Sequence, residues 1–137
     1  MELELDHGGE CASHAASLLS IANREGEYAY IKHDGFLSDG LEVVTHPMSL
    51  THYLHRMPWE QLRREALSRG YVSHQATTCG LHVHISRRAF GETEGKQDAA
   101  IARVLYFFEK HWEELLKFSR RTPRQLERWA ARYGYQE

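Results

Sequence analysis

The stretch Cys79-Gly80-Leu81-His82-Val83-His84-Ile85-Ser86 decides the interpretation of this chain. Its aliphatic residues alternate with His82, His84 and Ser86, and a period of two between apolar and polar residues predicts a half-buried strand. Successive side chains leave a strand on opposite faces, so the two histidines and the serine share one face. Two imidazoles at i and i+2 can reach one metal ion or one anion. The alternative interpretation is an ordinary solvated strand face that happens to carry two histidines.

Two further strand-like stretches carry carboxylates. Met1–Asp6 alternates apolar and acidic residues, which places Glu2 and Glu4 on one face. Like charges spaced in this way repel each other, and a bound cation would remove the repulsion; a frayed, solvated terminal strand is the alternative. Glu42 interrupts the apolar, β-branched stretch Leu41–His46 and therefore lies on an open face or binds something.

Helical periodicity and turn signals complete the fold prediction. The order β-α-β-β-α-α-β-α-α predicts an α+β fold, with a largely antiparallel sheet and helices packed on one face. A short aromatic strand is expected at Tyr28–Lys32. The helices are expected at Glu10–Arg24, Ser49–Arg56, Pro58–Arg69, Gln97–Phe118 and Pro123–Arg132.

Composition narrows the class of protein. The 137 residues are 42% hydrophobic and carry a net charge of −2, which predicts one globular domain and gives no sign of nucleic-acid binding. Two cysteines without a CxxC pair exclude a disulfide framework and suit a reducing compartment. No apolar stretch reaches the roughly 20 residues of a membrane span, and the acidic N-terminus differs from a signal peptide. We therefore expect a cytoplasmic protein.

The polar strand faces suggest one chemistry if they line one side of the sheet. Carboxylate oxygens with an imidazole suit Mg²⁺ or Mn²⁺ better than a structural zinc site. Lys32 and the Arg87-Arg88 pair would suit a polyphosphate held by such ions, which is the chemistry of nucleotide-dependent phosphoryl transfer. The same groups could also serve a metallohydrolase. Arginines near the C-terminus form either a solvated basic face or an anion site, namely Arg120, Arg121, Arg124, Arg128 and Arg132.

Five motifs in order resemble those of the amidoligase family, which are predicted carboxylate–amine ligases related to glutamine synthetase and glutamate–cysteine ligase. The resemblance covers nearly the whole chain. The motifs are Glu2-Leu3-Glu4, Lys32-His33-Asp34-Gly35, Gly40-Leu41-Glu42-Val43-Val44-Thr45-His46-Pro47, Cys79-Gly80-Leu81-His82-Val83-His84 and Ser119-Arg120-Arg121.

The resemblance implies a partial glutamine-synthetase-like catalytic fold and ATP-dependent amide formation through an acyl phosphate. The implied cofactors are ATP with Mg²⁺ or Mn²⁺, and the implied partners are small-molecule or peptide carboxylates and amines. It implies metal ligands at Glu2, Glu4, Glu42 and His82. It implies nucleotide contacts at Lys32, His84, Ser86 and Arg87, and a catalytic set of Glu42, Arg120 and Arg121.

The chain departs from the family pattern in two places. Phe36 stands where the family usually has serine, and the later Glu-x-Arg motif has no counterpart. We therefore expect residues 1–137 to be a single domain that forms the N-terminal part of a longer ligase domain. A missing strand would leave a sheet edge for another copy to cover, as in a homo-oligomer.

Two other functions stay open at the level of sequence. One is a zinc-dependent hydrolase in which His82, His84 and a third ligand, either Cys79 or His46, activate water. The other is a non-catalytic binding domain whose arginine-rich end recognises an acidic partner or nucleic acid.

Overall fold

The structure, a computed structural model, describes residues 1–74, 76–129 and 132. The chain forms two compact units, Met1–His84 and Ile85–Glu137. The first unit contains the whole sheet and three helices, and the second contains helices and one 3₁₀ turn.

The first unit is built on a four-stranded antiparallel sheet. Its strands are β1 (Glu2–Leu5), β2 (Ala29–Lys32), β3 (Leu41–Thr45) and β4 (Leu81–His82). They lie side by side in the order β2-β3-β1-β4, and every neighbouring pair is antiparallel. The predicted α+β class with a largely antiparallel sheet is therefore confirmed, while the glutamine-synthetase-like detail stays a prediction.

The core of the first unit lies on one face of this sheet. The helices are α1 (Ala12–Ala22), α2 (Leu50–His55) and α3 (Trp59–Ser68), and α1 contacts both α3 and β2. The period of two sends the odd-numbered side chains of β1 and β3 into this core. The buried residues are Leu5, Leu18, Ala22, Ala29, Leu41, Val43, Met57, Leu62, Ala66 and Tyr71.

The predicted strand from Leu81 to Ser86 is wrong in its extent. Only Leu81 and His82 pair with β1, and the aliphatic residues are not half-buried, since Leu81 is 55% and Val83 is 67% exposed. The register explains the short strand, because Glu2, the first residue of β1, already lies opposite His82. Strands β1 and β4 pair at these two positions only.

The second unit contains α4 (Glu94–Lys110), α5 (Trp112–Ser119) and α6 (Pro123–Trp129), after a 3₁₀ turn at Arg87–Phe90. The predicted single helix from Gln97 to Phe118 is wrong, because the backbone leaves the helical region at His111 and separates α4 from α5.

The helical spacing of Ile101, Leu105, Phe108, Trp112 and Leu115 predicts one continuously buried face, but this prediction is wrong, because no residue of α4 or α5 is buried. The sequence Thr122-Pro123-Arg124-Gln125 predicts a capping box, and this is confirmed, since Thr122 and Gln125 bond reciprocally at the start of α6. The predicted end of this helix falls partly on residues 130–131, which lie outside the described residues. Within the described part of the chain, no helix is both long and apolar enough to cross a membrane.

Candidate functional site

The face of the sheet opposite the core carries the predicted charged residues. The register sets Glu4 opposite Glu42 and Glu2 opposite His82 on the two sides of β1. It also sets Lys32 of β2 opposite Glu42. Side chains directly opposite each other on one face of an antiparallel pair are close neighbours, so three strand pairings bring these five residues together.

Glu2 is the meeting point of two imidazoles and one ammonium group. Its carboxylate lies 3.2 Å from His84 Nε2, 3.4 Å from His82 Nδ1 and 3.7 Å from Lys32 Nζ. The hydrogen bond from His84 is the largest cause that lowers the pKa of Glu2, and Lys32 adds to it. Glu2, His82 and His84 each offer one atom of a group whose members all lie within 4.8 Å of one another, which is close enough to share one metal ion.

A second set of donors consists of three carboxylates. Glu4, Asp34 and Glu42 each offer an oxygen, and these oxygens also lie within 4.8 Å of one another. Glu42 is only 2% exposed, and its burial raises the pKa of its carboxyl group, although the neighbouring Lys32 opposes this effect. Glu4 is also buried, and its carboxylate accepts the backbone N–H of Gly80.

Two contacts join the two donor sets. His82 Nε2 lies 3.7 Å from Glu4 Oε1, so this imidazole faces Glu2 with one nitrogen and Glu4 with the other. Lys32 Nζ lies 3.2 Å from Glu42 and 3.7 Å from Glu2. The hydrogen bond to Glu42 is the main cause that raises the pKa of Lys32, so its ammonium group stays charged. The two sets therefore form one continuous polar cluster.

A glycine leaves room for the His82 imidazole at this cluster. A Cβ atom on Gly80 would lie 2.8 Å from His82 Nε2 and 3.3 Å from a carboxylate oxygen of Glu4. The first of these distances is shorter than any ordinary contact, so a side chain here would displace the imidazole. The Cys79-Gly80 entry to the predicted strand thus has a steric role beside the site.

Sequence reasoning missed the importance of Asp6 and gave no role to Asp34. The Asp6 side chain is fully buried and accepts the backbone N–H groups of Ser38 and Asp39 and the hydroxyl of Thr78. It thereby ties the end of β1 to the loop before β3 and to the segment before β4. An aspartate at the end of an acidic alternating strand was the available signal, but its partners lie more than 30 residues away.

Four of the predicted site residues belong to the second unit and not to the unit that carries the sheet. Ser86 precedes the 3₁₀ turn, and Arg87 within the turn forms an ion pair of 2.6 Å with Asp98. Arg120 ends α5 in the left-handed conformation with φ of 54°, and the Arg121 N–H bonds the Ser119 hydroxyl. Their roles toward nucleotide or substrate stay predictions.

The third zinc ligand expected beside His82 and His84 was Cys79 or His46, but the structure places a different residue there. Neither Cys79 nor His46 belongs to a cluster of metal-ligating groups within the described part of the chain. Burial raises the pKa of Cys79 to about 11, so this thiol does not ionise readily. The third group that meets the two imidazoles is Glu2.

The function has to be inferred from the chemistry of this sheet face. The sheet face brings four carboxylates, two imidazoles and one ammonium group into a single cluster. Comparisons of the chain with protein-family models, with curated proteins and with solved structures found no match.

Proposed function

We propose that this chain is an ATP-dependent carboxylate–amine ligase domain that binds two divalent cations on the open face of its sheet. The observation that carries the proposal is the pair of adjoining donor sets, Glu2 with His82 and His84, and Glu4 with Asp34 and Glu42. Two metal ions side by side are a recurrent arrangement in phosphoryl transfer, because both can meet the same phosphate oxygens. The proposal agrees with what the amidoligase resemblance implies.

The chemistry of the donor sets fits Mg²⁺ or Mn²⁺. Carboxylate oxygens predominate, and these hard ligands suit hard cations that complete their coordination with water and phosphate. Bound ions would supply positive charge where the nucleotide phosphates gather. His82, which faces both sets, and the buried Glu4 would then hold the two positions at a fixed separation.

The remaining groups would bind and orient the nucleotide. Lys32 is 45% exposed at its side chain, so its ammonium group can leave the carboxylates and meet a phosphate. His84 is also exposed and lies at the outer edge of the cluster. In the proposed reaction a substrate carboxylate oxygen bonds the γ-phosphorus and ADP leaves. The amine nitrogen then bonds the acyl carbon, inorganic phosphate leaves, and the amine gives up a proton.

A calorimetric titration tests the nucleotide site. ATP is titrated into the purified chain with Mg²⁺ and again with EDTA, and we expect binding only with the metal. His82→Ala and Glu4→Gln should each abolish this binding while circular dichroism shows a retained fold. Two matched controls should bind like the wild type. His55→Ala replaces an exposed histidine of α2, and Glu92→Gln replaces an exposed carboxylate of the second unit.

Two results would contradict the proposal. One is ATP binding that is equally strong with EDTA, and the other is unchanged metal-dependent affinity in both His82→Ala and Glu4→Gln. If metal-dependent binding is found, release of phosphate in the presence of carboxylate and amine pairs identifies the substrates. Detection of protein in the cytoplasmic fraction of source cells checks the proposed cytoplasmic location.

A second candidate function is supported by the identity of the third group near the histidines. Two histidines and one glutamate form a common ligand set of catalytic zinc, which leaves a position open for water. A zinc-dependent hydrolase would therefore use Glu2 in place of the expected Cys79 or His46. Zinc-dependent cleavage of a chromogenic ester, lost in Glu2→Gln and unaffected in Cys79→Ser, would favour this function over the ligase.

A further inference from the structure

Two aromatic rings lie beside each other on the same sheet face as the carboxylates. Tyr30 of β2 and His46, which follows β3, have ring centroids 5.5 Å apart with an angle of 47° between the ring planes. Tyr30 is 45% exposed, and His46 is also exposed. A large aromatic side chain that remains half in water on a built polar face is available for a ligand.

The register fixes the position of this ring pair relative to the charged cluster. Tyr30 precedes Lys32 by two residues, so at about 3.4 Å per residue the two are about 7 Å apart along the strand. His46 follows Glu42 by four residues, and its N–H bonds the Tyr28 carbonyl at 2.8 Å, which holds the backbone beside β2. Val44, which is buried and lies opposite Tyr30, separates Glu42 from His46 along the same face of β3.

We propose that the Tyr30–His46 ring pair is the base-binding part of the nucleotide site, where a purine ring stacks while the phosphates meet Lys32 and the carboxylate cluster. This inference rests on the proposed function. Tyr30 lies about 7 Å from Lys32 along β2, and His46 lies about 14 Å from Glu42 along β3, so the two distances bracket the length of the ribose and phosphates that connect a base to its terminal phosphoryl group. Base–aromatic stacking tolerates any purine, because every base presents a π face.

The chemistry of the two ends suits one elongated ligand. The cluster end is charged and would take phosphate with metal ions, whereas the ring end is aromatic and lies next to the buried Val44 in the sheet. An amino-acid or peptide substrate could use the charged end but would not need an exposed aromatic ring beside it. A nucleoside triphosphate carries both a planar heterocycle and a polyphosphate at the required ends.

Comparison of ATP with inorganic tripolyphosphate isolates the contribution of the base. Both are titrated with Mg²⁺ into the wild type, Tyr30→Ala, His46→Ala and Tyr30→Phe. We expect ATP affinity to fall on the order of tenfold in each alanine variant, as stacking contributions predict, with little change for tripolyphosphate. Tyr30→Phe keeps the ring and should bind ATP like the wild type, as should Tyr106→Ala, which removes an exposed ring in the second unit.

The outcomes distinguish this inference from the proposed function. If the wild type binds neither ligand, the nucleotide site itself is wrong and the inference falls with it. If the wild type binds both but the alanine variants keep full ATP affinity, or lose ATP and tripolyphosphate affinity equally, the base does not stack on these rings and the inference is wrong. Circular dichroism of each variant checks that the fold is retained. If Tyr30→Ala does not fold, the result with His46→Ala decides between these outcomes.

Discussion

Replacement of Asp6 should weaken the first unit strongly, although Asp6 belongs to neither donor set. Its buried carboxylate accepts the N–H groups of His7 at 2.8 Å, Ser38 at 2.9 Å and Asp39 at 2.8 Å, together with the Thr78 hydroxyl. These donors lie in three separate segments of the chain. Asp6 therefore holds together the strand and loops that carry the proposed ligands.

The magnitude follows from the donors that Asp6→Ala would leave without a partner. Each buried donor that loses its acceptor costs about 1–3 kcal/mol, and some of these loop groups would regain water. We therefore expect the free energy of unfolding to fall by about 3–5 kcal/mol, which is at the upper end for a single substitution. Asp6→Asn retains one carbonyl oxygen as an acceptor and should cost roughly half as much.

The effect should depend on pH in a defined direction. Burial alone would raise the pKa of Asp6, but its four hydrogen bonds outweigh burial and hold the pKa well below the ordinary value. The stability that comes from the ionised group is therefore complete above the unfolded pKa of about 4. It is lost as the pH falls from there through the lower, folded pKa, so the difference between wild type and Asp6→Asn should shrink in acid.

Urea unfolding followed by circular dichroism at pH 7 and at pH 3 measures both effects. Asp98→Ala is the control, because it removes an exposed carboxylate paired with Arg87 in the second unit. An unfolding midpoint of Asp6→Ala equal to that of Asp98→Ala at pH 7 would refute the argument. A difference between wild type and Asp6→Asn that grows toward pH 3 would refute the assigned charge state.

Three further predictions concern other positions. Gly40→Ala would bring its Cβ within 2.1 Å of the backbone of β1 and should cost at least about 2 kcal/mol in thermal unfolding, whereas Gly35→Ala meets no atom and should not destabilise. Lys32→Met removes a cation that competes for the carboxylates, so calorimetry at pH 8 should show tighter Mn²⁺ binding; weaker binding would contradict this. Iodoacetamide at pH 8 should modify Cys11 before Cys79, as followed by mass spectrometry. The reason is that hydrogen bonding to Ser13 lowers the pKa of the Cys11 thiol, whereas burial raises the pKa of Cys79 to about 11. Modification in the reverse order would contradict this prediction.

The shared face of the sheet could be predicted because it depends on a local rule. A period of two places Glu2 and Glu4 on one side of a strand whatever the rest of the fold does. Glu42 could be assigned to an open or ligand-binding face because it interrupts an apolar stretch, and the register of β1 and β3 places it opposite Glu4. The convergence of these residues therefore required only that the three strands be neighbours.

Other features depend on contacts that a local pattern does not contain. Asp34 enters the second donor set from a loop, and Asp6, remote in sequence, fixes the later part of that loop at Ser38 and Asp39. The alternation after His82 predicted a longer strand, but a strand also requires a partner, and the pairing with β1 covers only Leu81 and His82. The break at His111 left the apolar spacing intact, so periodicity could not detect it.

The charge of the cluster argues that it binds cations. If all four carboxylates are ionised and the imidazoles are neutral, Lys32 leaves three negative charges uncompensated, and two of the carboxylates, those of Glu4 and Glu42, are buried. Uncompensated buried charge is costly, so either protons or cations must supply the balance. Burial raises the pKa of Glu42, which makes a proton a stronger competitor for this carboxylate than it would be at an exposed one. A metal ion requires the ionised carboxylate, so calorimetry should show that the proposed site binds Mg²⁺ or Mn²⁺ more tightly as the pH rises through the pKa of Glu42.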